Sequence, residues 1–318
     1  MDKKKILLSP FAFLLYPLRI TSLLTRGLPP FSDKKMPNIS ETLKNAAKVL
    51  RQNGVAEPRR QANSLLAFAL QKDKIFLIAH PEYELSTEEE TRFQDFLQRR
   101  ANREPFQYIT GKQEFYGLDF EVTKDVLIPR PETELIVENA VELLSENARF
   151  CEIGIGSGCI SVSILHEVET ASAIGLDVSE KALQIAEKNA KRHRVSERLQ
   201  LKISNIFANL ENEKFDLIVS NPPYIPSKDI KKLQAEVRDF EPLSALTDGK
   251  DGFSIIKKII DDVPDFLKPH GFLLMEIGFN QAVEVKKMFS SKIWQSVEVL
   301  PDLQNIPRVV KANLVFHF

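Results

Sequence analysis

From Ala148 onward, short apolar runs alternate with longer amphipathic segments, and this alternation restricts the possible folds more than any other feature of the chain. The apolar runs are Arg149–Ile155, Ser172–Val178, Leu199–Ser204, Phe215–Ser220 and Gly271–Ile277. Each has strand length, and each is mostly apolar, as strands covered on both faces are. Intervening segments such as SEKALQIAEKNAKRH and DGFSIIKKIIDDVPDFL repeat apolar residues at three and four, the spacing of one helix face. Strand–helix alternation of this kind predicts an α/β fold with a doubly wound parallel sheet. Two final runs, Ser296–Leu300 and Arg308–Phe316, have no helix between them. A parallel crossover needs a dozen or more residues, so these two are expected to pair antiparallel at one edge.

Upstream, the period is helical. In ISETLKNAAKVLRQNGV, Ser40 is the expected N-cap, Gly54 ends the helix and Pro58 opens the next. STEEETRFQDFLQRRANRE carries acids in its first turn and arginines in its last, which suits the helix dipole. EFYGLDFEVTKDVLI then switches to period two around a glycine and reads as a hairpin. The expected organisation is a poorly ordered extension over 1–35, a helical domain over 36–112, a hairpin connector over 113–128 and an α/β domain over 129–318. The extension begins with Lys3, Lys4 and Lys5 before ILLSPFAFLLYPL, a run too short and too broken by proline to span a bilayer.

The chain of 318 residues has 43 basic and 44 acidic side chains, a net charge of −1. Nucleic-acid binders usually show a basic surplus, so direct nucleic-acid binding is not expected. Cys151 and Cys159 are too few for a disulfide framework or a zinc site and read as reduced thiols. His80, His166, His193, His270 and His317 form no ligand pattern, and no metal is expected.

Three segments carry chemistry, each just past a strand. CEIGIGSGCIS places Gly154, Gly156 and Gly158 between a strand and a helix, with Ile155 and Ser157 interleaved. Glycines let backbone approach a ligand closely. About 20 residues on, Asp177 ends the next strand, where an acid can accept from ribose hydroxyls. A nucleoside-containing cofactor follows. The spacing is GxGxG and not the dinucleotide GxGxxG. Glu152, just before the glycines, either holds the ammonium of an amino-acid-bearing cofactor or is an ordinary strand-end acid. Asn205 and Ile206, past the third strand, are placed to contact an adenine amino group and to pack on its ring.

The third segment is VSNPPYIP. Proline cannot donate to a ladder, so the strand stops and Asn221, Pro222, Pro223 and Tyr224 stand at its C-terminal end. Asn221 offers a carbonyl, Pro222 a backbone carbonyl of fixed direction, and Tyr224 a flat ring. Together they suit a planar NH₂ group, accepting both of its hydrogens. Positioning that weakly nucleophilic nitrogen against a sulfonium methyl is worth about 7–11 kcal/mol of barrier when well oriented. The chemistry indicated is methyl transfer from S-adenosyl-L-methionine to an amide or exocyclic amine, with Asn221, Pro222 and Tyr224 as the catalytic set.

On these residues the chain resembles the HemK/PrmC family of peptide chain release factor N5-glutamine methyltransferases. The resemblance runs from Met36 to Phe318 and is carried by EPFQYITGKQEFYGLDFEVTKDVLIPRPETELIVE, EIGIGSGCIS and SNPPYIPSKDIKKLQAEVRDFEPLSALTDGKDGF, with LLMEIGFNQA and PDLQNIPRVV adding to it. It implies a Rossmann-like class I methyltransferase domain with a seven-stranded sheet, and a helical domain that helps recognise the substrate. It implies that Gly154, Gly156 and Gly158 line the methionine and ribose part of the cofactor, that Asp177 holds the ribose, and that Asn221 to Tyr224 bind the Gln amide of a Gly-Gly-Gln motif. Phe106, Tyr108, Arg130 and Glu132 fall in blocks near the cofactor or the active-site entrance. The protein is expected to be a cytoplasmic monomer.

A sister family methylates a ribosomal protein and usually carries Ser-Pro after the IPR block. LIPRPETE, with Pro131, Glu132 and Thr133, is similar to the release-factor branch instead. Asn205 stands where the family often has Asp. Three alternatives stay open at this point: glutamine methylation of a ribosomal protein, amino-methylation of a nucleic-acid base, and a silent binding module that keeps the fold.

Overall fold

The computed structural model describes residues 36–315, so the expected extension over 1–35, the end of the last strand at Phe316, and His317 lie outside the described residues. The helical segment opens with α1 (Ile39–Gln52), α2 (Pro58–Leu70), α3 (Lys74–Ala79), α4 (Thr87–Ala101) and α5 (Phe106–Thr110). The cap of α1 is Asn38 and not Ser40. The Asn38 side chain accepts the Glu41 N–H at 2.9 Å, while Ser40 already lies inside the helix. A bridge between Asn38 and Glu84 keeps Asn38 extended, so the first turn starts early enough to bury Ile39. Pro58 opens α2 as expected, and Ser86 and Glu89 cap α4 reciprocally. Leu50, Leu65, Leu66, Phe93 and Leu97 close one apolar cluster between these helices.

The connector begins with β1 (Lys112–Phe115) and β2 (Leu118–Glu121), an antiparallel pair joined by Tyr116 and Gly117, both at positive φ. That is the primed two-residue turn whose twist matches a hairpin. The chain then runs without regular structure over α8 (Glu180–Arg192), burying Tyr108, Val122, Val126 and Ile128 against Ala182 and Ile185. A 3-10 turn at Pro131–Thr133 leads into α6 (Glu134–Leu143).

The α/β part follows the expected alternation up to β5, after which β6 comes with no helix between: β3 (Arg149–Ile153), α7 (Cys159–Glu167), β4 (Ser172–Asp177), α8, β5 (Leu199–Ile203) and β6 (Phe215–Ser220). After three short helices, α9 (Ala235–Phe240), α10 (Leu243–Leu246) and α11 (Ser254–Asp262), come β7 (Leu267–Glu276), α12 (Ala282–Lys287), β8 (Trp294–Pro301) and β9 (Pro307–Leu314). The sheet is seven-stranded, in the order β5-β4-β3-β6-β7-β9-β8. The first five strands are parallel, and β9 inserts antiparallel between β7 and β8. Side chains alternate between two cores, as strand geometry requires. Phe150, Leu217, Val219 and Leu274 face α6, α7 and α8, whereas Cys151, Ile218, Leu273 and Met275 face α11 and α12. Cys151 and Cys159 are buried free thiols, consistent with packing as small apolar residues. No helix among the described residues is long and apolar enough to cross a membrane.

One consequence of this order matters for function. Strand β3 sits mid-sheet, with β4 and β5 on one side and β6 and β7 on the other, so the winding reverses between β3 and β6. Ligands bind in the crevice at the C-terminal ends of strands at such a point.

Candidate active site

Ile153 and Ser220 are direct partners at the ends of β3 and β6, and the Ser220 hydroxyl donates to the Ile153 carbonyl at 2.9 Å. Gly154 and Asn221, the next residue on each strand, therefore open the glycine loop and the Asn-Pro-Pro-Tyr segment side by side. The loop is tied down by backbone: Gly154 and Ile155 N–H donate to the Leu176 carbonyl at 2.8 and 2.9 Å. A cavity of about 280 Å³ opens above these strand ends. Glu152, Gly154, Ile155, Gly156, Ser157, Asp177, Asn205, Ile206, Asn221, Pro222 and Pro223 all line it, so most of the sequence-predicted residues meet in one place.

The cavity suits an amino-acid nucleoside. Gly154 and Gly156 adopt φ +73° and +54°, and a Cβ at either would meet no protein atom closer than 4.0 Å. The space they leave is a cradle that side chains would fill. Ser157 is buried, and its hydroxyl has no hydrogen-bond partner among the described residues, leaving a polar group for a ligand to satisfy. Asp177 accepts the Gly156 N–H on one oxygen and the Ser179 N–H on the other, both at 2.9 Å, which fixes its carboxylate at the rim. Burial raises its pKa, and those two N–H groups offset part of the rise. Ile206 holds φ +55°, unusual for a β-branched residue, which marks strain at the loop that closes this end. Its side chain is buried, while Asn205 is exposed at the mouth.

Gly158 also has a packing role that spacing does not show. At φ +81° it starts α7 beneath α8, where a Cβ would lie 3.2 Å from the Ala186 Cβ. It sets helix packing below the cradle. Glu152 is 1% exposed and accepts both the N–H (2.9 Å) and the hydroxyl of Ser161. Burial pushes its carboxyl up to about 8, with the Ser161 bonds pulling against that rise.

A second cavity of about 220 Å³ adjoins the first and shares Leu127, Arg130, Asn221, Pro222 and Ala245 with it. Tyr224, Ile225, Val237 and Leu246 make up the rest, an aromatic and apolar side to a cavity that Arg130 and Asn221 make polar on the other. Asn221 and Pro222 thus form a wall common to both. Arg130 borders both cavities and pairs with buried Glu241, whose other oxygen accepts the Ile128 N–H at 3.2 Å. Of the remaining family-block residues, Tyr108 is buried and donates to the Val126 carbonyl at 2.6 Å, Phe106 packs on the helical cluster, and Glu132 is half-buried beside Thr133.

Several residues here were not singled out from sequence. Asn189 on α8 accepts the Glu121 N–H at 2.7 Å and donates to the Glu121 and Ser157 carbonyls, joining hairpin, helix and glycine loop. Glu276, at the end of β7, accepts from the Thr133 hydroxyl at 2.6 Å and the Tyr224 hydroxyl at 3.0 Å. Asn221 in turn donates its amide N–H to Thr133 Oγ1 at 3.1 Å.

A sequence profile of the PrmC N-terminal domain matches residues 41–111, and one of the methyltransferase small domain matches residues 131–237. The release factor glutamine methyltransferase of Koribacter versatilis (strain Ellin345) is 40% identical over 275 residues, spanning 86% of this chain and 97% of its own. Its counterpart in Geobacter sulfurreducens is 42% identical over 265 residues, spanning 83% and 93%. The chain belongs to the release factor glutamine methyltransferase family. Among solved structures, the hMettl16 catalytic domain aligns with a TM-score of 0.52 at 16% identity, over 72% of this chain and 82% of that one, a likeness of fold. Family membership removes the silent-module reading.

Proposed function

We propose that this protein transfers a methyl group from S-adenosyl-L-methionine to the side-chain N5 of the Gln in the Gly-Gly-Gln motif of a peptide chain release factor, in the cytoplasm. One observation carries the reading: Asn221 and Pro222 line both cavities, the one with the glycine cradle and the one faced by Tyr224. A donor held in the first and an amide held in the second meet at that wall. Bound S-adenosyl-L-methionine supplies a sulfonium methyl, an electrophile that needs no metal. Gly154 and Gly156 admit the cofactor by leaving room, Ser157 and Asp177 offer polar groups to it, and Ile206 flanks its base with Asn205 at the mouth. Asn221 Oδ1 and the Pro222 carbonyl accept the two hydrogens of the Gln amide, which aims the nitrogen lone pair at the first cavity. Tyr224 packs beside the amide, with Ile225, Val237 and Leu246 adding apolar surface around it. The proton lost from nitrogen after transfer leaves through the same acceptors or through water.

A nucleic-acid base offers a similar planar NH₂, but the balanced charge of the chain gives no phosphate-binding surplus. The test is methyl transfer with labelled cofactor against a release factor, ribosomal proteins and duplex DNA in parallel, with mass spectrometry to locate the label. Label on the Gln of the Gly-Gly-Gln loop is the expected result. Label confined to DNA or to a ribosomal protein would overturn the substrate assignment.

A further inference from the structure

The Asn221 carboxamide has two faces, and only one suits the reaction. Its oxygen accepts from an NH₂ group; its nitrogen would repel one. The two ends have the same size, so packing alone cannot select between them. The selection must come from hydrogen-bond direction.

The neighbouring groups supply that direction. Thr133 is 2% exposed, in the 3-10 turn before α6, and Glu276 is 2% exposed at the end of β7. Burial raises the Glu276 carboxyl, while the Thr133 and Tyr224 hydroxyls and the charge of Arg308 pull it back toward the ionised form, and an ionised carboxylate only accepts. The single hydroxyl proton of Thr133 therefore goes to Glu276 Oε2, at 2.6 Å. The Thr133 oxygen is left able only to accept on its other side, and there it meets Asn221 Nδ2 at 3.1 Å. With its nitrogen committed to Thr133, Asn221 keeps its oxygen for another partner. The second oxygen of Glu276 takes the Tyr224 hydroxyl at 3.0 Å, so one carboxylate orients both Asn221 and Tyr224.

We propose that Thr133 and Glu276 are positioning residues that fix the polarity of Asn221, so that its oxygen faces the substrate amide. The proposal rests on the amide-methylation reading above. Thr133 also borders the first cavity, but its hydroxyl is committed to Glu276 and Asn221; both residues act through Asn221, and Glu276 also through Tyr224.

Thr133→Val removes the hydroxyl with little change of volume, freeing the Asn221 amide to turn. Thr133→Ser keeps the hydroxyl. Glu276→Gln puts an NH₂ group at one end of the site, and when that group faces Thr133 the hydrogen-bond chain reverses. The experiment measures steady-state kinetics on a release factor, cofactor Kd, Tm and inhibition by two peptides that differ only in carrying Gly-Gly-Gln or Gly-Gly-Glu. The expected result is a kcat reduced about 30-fold or more by Thr133→Val and Glu276→Gln, near-normal kcat for Thr133→Ser, and cofactor Kd unchanged within about threefold. A turned Asn221 presents its NH₂ to substrate, so both damaging variants should also bind the Glu peptide better relative to the Gln peptide, by about tenfold. Loss of fold alone would weaken both peptides together.

The proposal is overturned if Thr133→Val keeps wild-type kcat, if Thr133→Ser is as impaired as Thr133→Val, or if the peptide preference does not move. Should Glu276→Gln fail to fold, the Thr133 pair still decides. If the wild-type enzyme labels a different NH₂ substrate, the substrate assignment fails, and the Thr133 variants measured on that substrate still test the positioning role.

Discussion

Asn221 joins the hydrogen-bond chain from Glu276 to the wall between the two cavities, so its removal should separate chemistry from cofactor binding. In Asn221→Ala, turnover is expected to fall at least about 100-fold, the scale of a lost orienting contact, while cofactor Kd by calorimetry stays within about threefold. Wild-type turnover in that variant would sink the amide-clamp reading. Glu152 makes a different prediction. Its carboxyl titrates near 8 in the fold, because burial penalises its charge, against an ordinary value of 4.5. Between those values the native state binds the extra proton, so stability is greatest below about 4.5 and falls as pH rises through about 8, by up to about 1.4 kcal/mol per pH unit. Glu152→Gln mimics the neutral acid and should flatten that decline in Tm measured from pH 5 to 9; a parallel decline in the variant would assign the effect to another group. The sequence made the Asn-Pro-Pro-Tyr segment readable because its residues adjoin one another at a strand end. Thr133 and Glu276 were not readable in that way, since they lie 143 residues apart and only the folded sheet brings them together. Gly158 carries a further task that was illegible for a related reason: spacing groups it with the loop glycines, and only the position of Ala186 reveals its part in helix packing.

Among the elements, strand–helix alternation specified the sheet well because its central strands are buried on both faces and most of its parallel crossovers carry a helix; edge strand β5 is partly exposed, and no helix lies between β5 and β6. The strand ends were less legible. β7 starts at Leu267, ahead of a Lys-Pro-His stretch that sequence pattern excludes from a strand: Leu267 pairs with Phe215, and the ladder resumes only at Leu217 and Phe272, so the stretch between is an irregularity opposite Asp216. The insertion of β9 between β7 and β8 is likewise a matter of tertiary pairing, which no local pattern reports. The start of α7 offers a test of how the glycines divide their work. Gly156→Ala places its Cβ in the cradle, so it should cost about 1 kcal/mol from the left-handed backbone and mainly weaken cofactor binding. Gly158→Ala carries the same backbone penalty and also presses on Ala186 at 3.2 Å, so α7 and α8 must part. Overpacking adds about 1–3 kcal/mol, giving a clearly larger drop in Tm. Equal drops in the two variants would mean that packing against α8 is not what Gly158 provides.

For the molecule as a whole, composition indicated an ordinary globular chain with no basic surplus, but a near-zero net charge says nothing about where individual charges meet. The most consequential meeting joins the helical segment to the stretch that follows Tyr224. Arg100 and Arg103 on and beside α4 converge on Glu236 of α9: Arg100 at 2.9 Å, and Arg103 through two nitrogens at 2.8 and 2.5 Å. Burial alone would raise the Glu236 carboxyl, but the Arg103 and Arg100 hydrogen bonds outweigh it and hold the group at about 2. Because the folded value lies below the ordinary 4.5, the stabilisation is fully present above about 4.5 and is lost as pH falls through about 2. Glu236→Gln removes that dependence and leaves two guanidinium groups facing each other. Arg100 is only 6% exposed, so its charge cannot fall back on water, whereas Arg103 keeps 30% of its side chain exposed. The expected loss is on the order of 2–4 kcal/mol, near or just below that for breaking a fully buried pair. Since α9 lies a dozen residues past Tyr224, loosening it should reach the substrate side of the site before the cofactor side. Methylation of a short Gly-Gly-Gln peptide should then survive in Glu236→Gln, while kcat/KM for the intact release factor falls about tenfold, because only the larger substrate can use the helical segment and the active site together. Equal losses on peptide and intact protein would show that the ion pair supports the catalytic part alone.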